Sequence, residues 1–164
     1  DTVPFHMGTL SKALGCIGGF VAGTEPLVTY LLNTSRSFMY TTASPPGAAA
    51  AVIAALDIIQ REPERRQRLW ANRDRLCAGL NRLGFSIGAS SSPIIPIIIG
   101  RADRALVFAK QLLLNGVFAP AIRPPTVPES TSRIRVTITS EHTPTQIDQA
   151  LIAFQRAGES IRMI

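Results

Sequence analysis

A run of six apolar residues, Ile-Ile-Pro-Ile-Ile-Ile at 94–99, is the feature of this sequence that most constrains its fold. A short β-branched run bounded by turn residues is typical of a strand, and Ser-Ser-Ser-Pro precedes this one at 90–93. Because the run shows no polar alternation, it predicts a strand that is buried on both faces. The second half of the chain is therefore expected to be organised around a buried strand.

The segments that flank this run indicate a small α/β domain. They comprise a helix at 101–114 ended by Asn115-Gly116, a short strand at 117–121, a proline-rich loop at 123–132, a half-buried strand at 133–139 and a helix from a capping box at 143–146 to about residue 156. Strands and helices in this order pack as a sheet covered by helices.

The first half of the chain predicts fewer strands. The patterns indicate a buried strand at 18–22, a helix at 25–32, a strand and then a loop at 35–46, and a long helix over 47–83. The start of the long helix is apolar nearly all round, so we expect it to be buried. From Arg61 the helix is amphipathic, Pro63 is expected to kink or restart it, and Gly84 ends it.

The composition of the chain limits the classes of protein to which it can belong. The chain has 164 residues, 46% hydrophobic and 17% charged, which suits one domain or part of a larger protein. It begins without Met or a signal-peptide pattern, so we expect a C-terminal portion of a longer protein. No apolar run reaches the roughly 20 residues of a membrane span. Cys16 and Cys77 form no metal-binding spacing, which favours a reducing cytoplasm and no metal.

The net charge of +6 raises the question of a nucleic-acid partner. Many arginines lie within 61–82, where acidic residues are interleaved with them. Glu62 and Arg66, for example, are spaced for an i,i+4 pair on a helix. Few aromatic residues accompany this segment, so it lacks a base-stacking platform. The pattern favours a solvated helix face over a nucleic-acid site.

Lys12 is one of only two lysines in the chain, and it lies in Gly-Thr-Leu-Ser-Lys-Ala-Leu-Gly. A lysine amine attacks an aldehyde only in its neutral form, which a partly dehydrated site favours. The hydroxyls of Thr9 and Ser11 are suited to bind a phosphate, and small neighbours let a bulky ring approach. These features suit a pyridoxal phosphate Schiff base. A surface lysine in a glycine-rich loop explains them equally well.

A second group of polar residues lies near the C-terminus. By the period of a strand, Arg133 and Arg135 share one face, while Ile134 and Val136 face the core. A guanidinium fixed on a strand is a good carboxylate receptor. The rigid Pro-Pro-Thr-Val-Pro segment brings Thr126 nearby. Two exposed strand arginines beside an ordinary loop are the alternative, although they leave the proline-rich segment unexplained.

Four motifs occur in one order: Thr-Leu-Ser-Lys-Ala-Leu-Gly, Tyr-Thr-Thr-Ala-Ser-Pro-Pro, Ile-Arg-Pro-Pro-Thr-Val-Pro and Arg-Ile-Arg-Val-Thr. Together they resemble the C-terminal part of the α-oxoamine synthases, which are fold-type-I pyridoxal phosphate enzymes. The third motif is most similar to the 8-amino-7-oxononanoate synthases. The resemblance implies the end of a cofactor-binding large domain at 1–46, a linking helix at 47–83 and a small α/β domain at 84–164.

The resemblance also implies roles for residues. Lys12 would be the Schiff-base lysine and the base that takes the α-proton, and Thr9 would bind the cofactor phosphate. Thr41 or Thr42 would reach the cofactor of the partner subunit in a homodimer. The substrate-binding residues would be Thr126, Arg135 and, as a weaker candidate, Arg123.

The implied reaction is the decarboxylative condensation of L-alanine with a pimeloyl thioester, on CoA or a carrier protein, in biotin biosynthesis. The family's glycine-rich phosphate loop, the residue that stacks on the cofactor ring and the aspartate that pairs with the ring nitrogen all precede the lysine. Asp1 is too near Lys12 to be that aspartate, so we expect the isolated chain to be inactive.

Three alternative functions are considered. The first is a sister synthase, acting as a 2-amino-3-ketobutyrate CoA ligase, 5-aminolevulinate synthase or serine palmitoyltransferase. The others are an aminotransferase-like activity and a non-catalytic basic module.

Overall fold

A computed structural model describes residues 4–164, so Asp1 lies outside the described residues. The chain divides into two compact units between Pro63 and Glu64. Each unit has its own sheet. We describe the two units separately.

The N-terminal unit combines a hairpin with three helices. Its elements are β1 (Phe5–Thr9), β2 (Gly19–Gly23), α1 (Glu25–Thr34), α2 (Arg36–Met39) and α3 (Pro46–Arg61). The two strands pair antiparallel, with Phe5 opposite Gly23 and Thr9 opposite Gly19. The predicted strand near 18–22 and the predicted helix at 25–32 are confirmed, with Pro26 in the first turn of α1.

The predicted strand within 35–46 is wrong, because residues 36–39 form the short helix α2. The carbonyl of Ser35 accepts hydrogen bonds from the amides of Phe38 and Met39, at 3.0 and 2.9 Å. These local bonds satisfy the backbone without a neighbouring strand, so the strand-forming side chains have no ladder to join. The loop that was expected to follow is present before α3.

Burial in the N-terminal unit is also not as predicted. Every residue of β2 is exposed, and α3 has no buried residue. Indeed, no residue within the described range 4–63 is buried. Each strand of the hairpin pairs only with the other, and apolar side chains of α3 such as Ile53 are exposed.

The C-terminal unit is a three-stranded antiparallel sheet with helices. Its elements are α4 (Glu64–Arg82), β3 (Ile94–Gly100), α5 (Ala102–Leu114), β4 (Ala121–Ile122), β5 (Ser132–Thr137) and α6 (Pro144–Ser160). The strand order is β3-β5-β4. The helical stretch predicted over 47–83 is therefore two helices, and the break falls at Glu62 and Pro63. This break agrees with the restart expected from proline.

Two strand predictions in this unit need correction. Ile95 and Ile97 of β3 are buried, but Ile94 is 43% exposed, because the helices pack against only one face of the sheet. The strand predicted at 117–121 is confined to the two residues of β4. Pro120 has no amide hydrogen to extend the ladder, although its carbonyl accepts from the amide of Arg135 at 3.0 Å.

The helix boundaries of this unit follow local sequence signals. Gly84, at a φ of 87°, ends α4, and the amide of Phe85 donates to the carbonyl of Leu80 at 3.1 Å. At the start of α6, the hydroxyl of Thr143 accepts from the amide of Gln146 at 3.2 Å, and the Gln146 side chain accepts from the amide of Thr143 at 2.8 Å. Both predicted signals are confirmed.

The core of the C-terminal unit is built around three phenylalanines. Phe85, Phe108 and Phe154 have ring centroids 5.7 to 6.2 Å apart, which is the range of favourable aromatic pairs. Phe108 and Phe154 are fully buried. The isoleucines that point inward from β3 and β5 pack in the same cluster, so the core lies between the helices and one face of the sheet.

Arginines of this unit are paired with acidic side chains across its surface. The Arg75 guanidinium on α4 donates to both oxygens of Asp148 on α6, at 2.9 and 2.7 Å. This hydrogen bond lowers the pKa of Asp148 below its ordinary value. Arg101 and Asp103 form a similar pair at 2.8 Å. Among residues 4–164, no helix is long and apolar enough to cross a membrane.

We expect Phe154→Ala to lower the free energy of unfolding by about 3–5 kcal/mol, because it leaves a cavity between two other rings. The matched control is Phe118→Ala, since Phe118 is 82% exposed. That control should change stability by no more than about 0.5 kcal/mol. Denaturant titration followed by the fluorescence of Trp70, the single tryptophan of the chain, measures both. Equal losses in the two variants would contradict the described core.

Candidate active site

Lys12 lies in the connection between β1 and β2, and its side chain is exposed. The amide of Leu10 donates to the carbonyl of Gly18 at 3.0 Å and thereby closes the connection at its base. The carbonyl of Lys12 accepts from the amide of Gly15 at 3.0 Å, so Lys12 is the first residue of a tight turn. Gly15 has a φ of 61°, a conformation that favours glycine.

Two hydroxyls accompany this lysine. The Oγ1 atom of Thr9 is 2.8 Å from Oγ of Ser11, and the amide of Ser11 donates to Thr9 Oγ1 at 3.2 Å. On the same hairpin, a Cβ atom added to Gly8 would lie 2.7 Å from the ring of Phe20. The structure therefore brings Thr9 and Ser11 together next to Lys12 in sequence.

Thr41 and Thr42 lie elsewhere in the N-terminal unit, in the loop between α2 and α3, and both are exposed. Lys12 and Thr9 belong to the hairpin instead. The described residues show no hydrogen bond that joins the two threonines to that hairpin. Their predicted role toward a partner subunit stays a prediction.

The C-terminal unit contains a cavity on the outer face of its sheet, and we call it the arginine cavity. Its volume is about 380 Å³. Its polar lining consists of Ser90, Ser92, Thr126, Arg133 and Arg135, and apolar residues of β3 and β4 complete it. Ile134 and Val136 point to the opposite face and are buried, which is the predicted alternation. The structure thus brings the two arginines and the threonine together.

Arg123 is placed differently from the other predicted substrate-binding residues. It directly follows β4, its side chain is exposed, and it does not line the arginine cavity. Its carbonyl accepts from the amide of Thr126 at 3.0 Å. Within the C-terminal unit, Arg123 therefore shapes the turn that presents Thr126 rather than contacting the cavity.

Sequence reasoning missed the two serines of the arginine cavity. The segment 90–93 was predicted only as a loop, but Ser90 Oγ donates to the carbonyl of Ile94 at 2.8 Å and lies 3.0 Å from Ser92 Oγ. Hydroxyls spaced by two residues immediately before a strand are the signal that could have indicated a structured turn. Their position in the cavity depends on the pairing of β3 with β5.

A larger cavity of about 790 Å³ lies between α6, β5 and the segment 115–118. None of the predicted site residues lines it. His142 does line it, and its Nδ1 atom accepts from the amide of Thr139 at 3.1 Å. Because the chemistry of a site depends on its residues rather than on its size, the smaller arginine cavity is the better candidate.

Comparison with known proteins identifies the family. The model described as aminotransferase class I and II matches residues 2–154. The chain belongs to this family. The 8-amino-7-oxononanoate synthase of Anaeromyxobacter dehalogenans (strain 2CP-C) is 50% identical to it over 153 residues, which is 93% of this chain and 38% of that protein.

Solved structures agree with this family assignment. A serine palmitoyltransferase solved with pyridoxal phosphate as internal aldimine superposes with a TM-score of 0.93 at 32% identity, over 99% of this chain and 41% of that one. The 8-amino-7-oxononanoate synthase of Francisella tularensis gives a TM-score of 0.81 at 27% identity, over 94% and 45%. The chain thus spans about two fifths of the length of these relatives.

These findings confirm the predicted resemblance and the fold class, which is the C-terminal portion of a fold-type-I pyridoxal phosphate transferase. They also indicate pyridoxal phosphate as the cofactor of the family. The residues of the hairpin fit that group. Lys12 supplies a primary amine for an aldehyde, and Thr9 and Ser11 supply adjoining hydroxyls for a phosphate. The partly dehydrated surroundings expected for this lysine are not provided by the described residues, which leave its side chain exposed.

Proposed function

We propose that the protein to which this chain belongs is an 8-amino-7-oxononanoate synthase, which condenses L-alanine with a pimeloyl thioester in biotin biosynthesis. The observation that carries the proposal is the hairpin that presents Lys12 beside the hydroxyl pair of Thr9 and Ser11. The 50% identity to the Anaeromyxobacter synthase supports the specific reaction. CoA and a carrier protein are both suitable carriers of the thioester.

The N-terminal unit is proposed to hold pyridoxal phosphate. Lys12 would hold the aldehyde group of the cofactor and would be the base for the α-proton of the amino acid, while Thr9 would bind the phosphate. Thr41 or Thr42 serves the cofactor of the partner subunit in a homodimer. When bound, the cofactor supplies an electron-withdrawing ring that stabilises negative charge on the α-carbon. The protein contributes the base and its orientation.

The C-terminal unit is proposed to bind the substrate carboxylate in the arginine cavity. Arg135 offers a planar fork of donors that matches a carboxylate, and Thr126 adds a hydroxyl on the same cavity. Arg123 is the weaker candidate for binding the same carboxylate. A cavity of about 380 Å³ suits a small amino acid.

We further propose that the 164-residue chain alone has no synthase activity. The family's glycine-rich phosphate loop, ring-stacking residue and ring-nitrogen aspartate have no counterparts among its residues. The full-length protein is the form to assay, and we expect it in the cytoplasm.

A serine palmitoyltransferase type of activity is the second candidate. The specific observation in its favour is the TM-score of 0.93 to a serine palmitoyltransferase, compared with 0.81 to the Francisella synthase. The two candidates share the cofactor, the lysine and the decarboxylative chemistry, and they differ in amino acid and acyl chain. Product analysis with L-alanine or L-serine, each with pimeloyl and palmitoyl thioesters, separates them.

We expect Lys12→Ala to abolish the visible absorbance band that the full-length protein develops with pyridoxal phosphate, because no other described hairpin residue supplies an amine. The matched control is Lys110→Ala, which removes the second lysine of the chain, an exposed residue on α5. That control should keep the band and its shift with L-alanine. A full band in Lys12→Ala would refute the proposed cofactor site.

We expect Arg135→Met to raise KM for L-alanine by about 10- to 100-fold, because a charge-assisted hydrogen bond to the carboxylate is lost. The matched control is Arg82→Met, which removes an exposed arginine at the end of α4. Steady-state kinetics of the full-length protein measures both. An unchanged KM in Arg135→Met would show that the carboxylate binds elsewhere.

A further inference from the structure

We propose that Arg73 is a positioning residue that holds the turn at Ser90–Ser92 against the arginine cavity and thereby sets the affinity of that cavity for a carboxylate. The inference rests on the proposed function, since it deepens the role assigned to the arginine cavity. Arg73 itself does not line the cavity. It acts from α4, through the backbone of the turn.

The side chain of Arg73 is half-buried, with 23% of it exposed. One terminal nitrogen donates to a carboxylate oxygen of Asp74 at 2.8 Å, and the other donates to the backbone carbonyl of Ser90. The hydrogen bond to Asp74 raises the pKa of Arg73 further, so the side chain stays cationic. The Nε atom is buried without a partner.

A half-buried guanidinium whose Nε atom lacks a partner is unfavourable for stability alone. An exposed aspartate on the same helix could pair with an arginine that points to solvent. The inward orientation of Arg73 is therefore best explained by the carbonyl that it reaches. Among residues 4–164, Arg73 is the one donor to the Ser90 carbonyl.

Several other polar groups of the turn bond to one another. The amide of Ser92 donates to Ser90 Oγ at 3.2 Å, and the amide of Ile94 donates to Ser92 Oγ at 3.2 Å. The turn is thus a small self-bonded unit whose Ser90 carbonyl is its link to α4. Without Arg73, this carbonyl would lose its hydrogen bond to α4, and the serine turn would be held less firmly in place.

Movement of the turn would change the shape of the arginine cavity, because Ser90 and Ser92 line it together with Thr126 and Arg135. A carboxylate held by a guanidinium fork requires fixed geometry, and small displacements weaken both hydrogen bonds. The expected consequence is weaker binding of the carboxylate with little effect on the chemical step.

The test is Arg73→Met in the full-length protein with pyridoxal phosphate bound. We expect the Kd and KM for L-alanine to rise about 10-fold, with kcat changed by less than about 2-fold. The matched control is Arg75→Met, on the same helix, which loses the ion pair with Asp148 but does not touch the turn. The control should leave both constants unchanged.

A second arm separates positioning from a general loss of stability. In an Arg135→Met background, Arg73→Met should raise KM no further, because the carboxylate receptor that it positions is already gone. Independent, multiplicative effects of the two substitutions would overturn the inference. An unchanged Kd in the single Arg73→Met variant would overturn it as well.

If Arg73→Met does not fold, the Kd of the Ser92→Ala variant for L-alanine tests the inference instead. That variant removes the acceptor of the Ile94 amide and loosens the turn from its other side. A rise of several-fold in the Kd for L-alanine supports the inference, whereas an unchanged Kd refutes it.

A wild-type protein whose visible band does not respond to L-alanine contradicts the proposed function and this inference together. A response that is equal in wild type and variants contradicts this inference alone.

Discussion

The alternation of side chains along β5 is the constraint on which the C-terminal unit depends. Ile134 and Val136 point into the aromatic core, so Arg133 and Arg135 must point to the opposite face. A shift of one residue in the register would bury two guanidinium groups and expose two core side chains. The packing that stabilises this unit therefore also fixes on which face Arg133 and Arg135 lie. The same alternation along β5 thus determines both the fold of this unit and its proposed substrate-binding face.

The two units of the chain differ in how they are stabilised. The C-terminal unit has a continuous core, while no residue of the described part of the N-terminal unit is buried. The hairpin that carries Lys12 is instead ordered by backbone hydrogen bonds and by glycines that allow close approach. Within that hairpin, Thr9 and Ser11 are placed by local geometry. The proposed chemistry of Lys12 thus depends on a short, self-contained turn.

Local signals in the sequence predicted much of the fold. The capping box at Thr143 and the glycine stop at Gly84 were identified because the bonds that form them span few residues. Burial was predicted less well. Whether Ile94 is buried depends on how many layers pack on the sheet, and the local sequence does not predict that number. The serine turn of the arginine cavity was missed for the same reason, since Ser90 lines the cavity only when β3 and β5 pair.

Reductive trapping of the cofactor on the full-length protein tests the central claim most directly. Borohydride converts the bond between pyridoxal phosphate and its lysine into a stable secondary amine, and peptide mass spectrometry then locates the modified residue. The account predicts a single modified site, at Lys12, with Lys110 unmodified. A stable adduct on any other lysine, or none in a protein that shows the visible band, would contradict it.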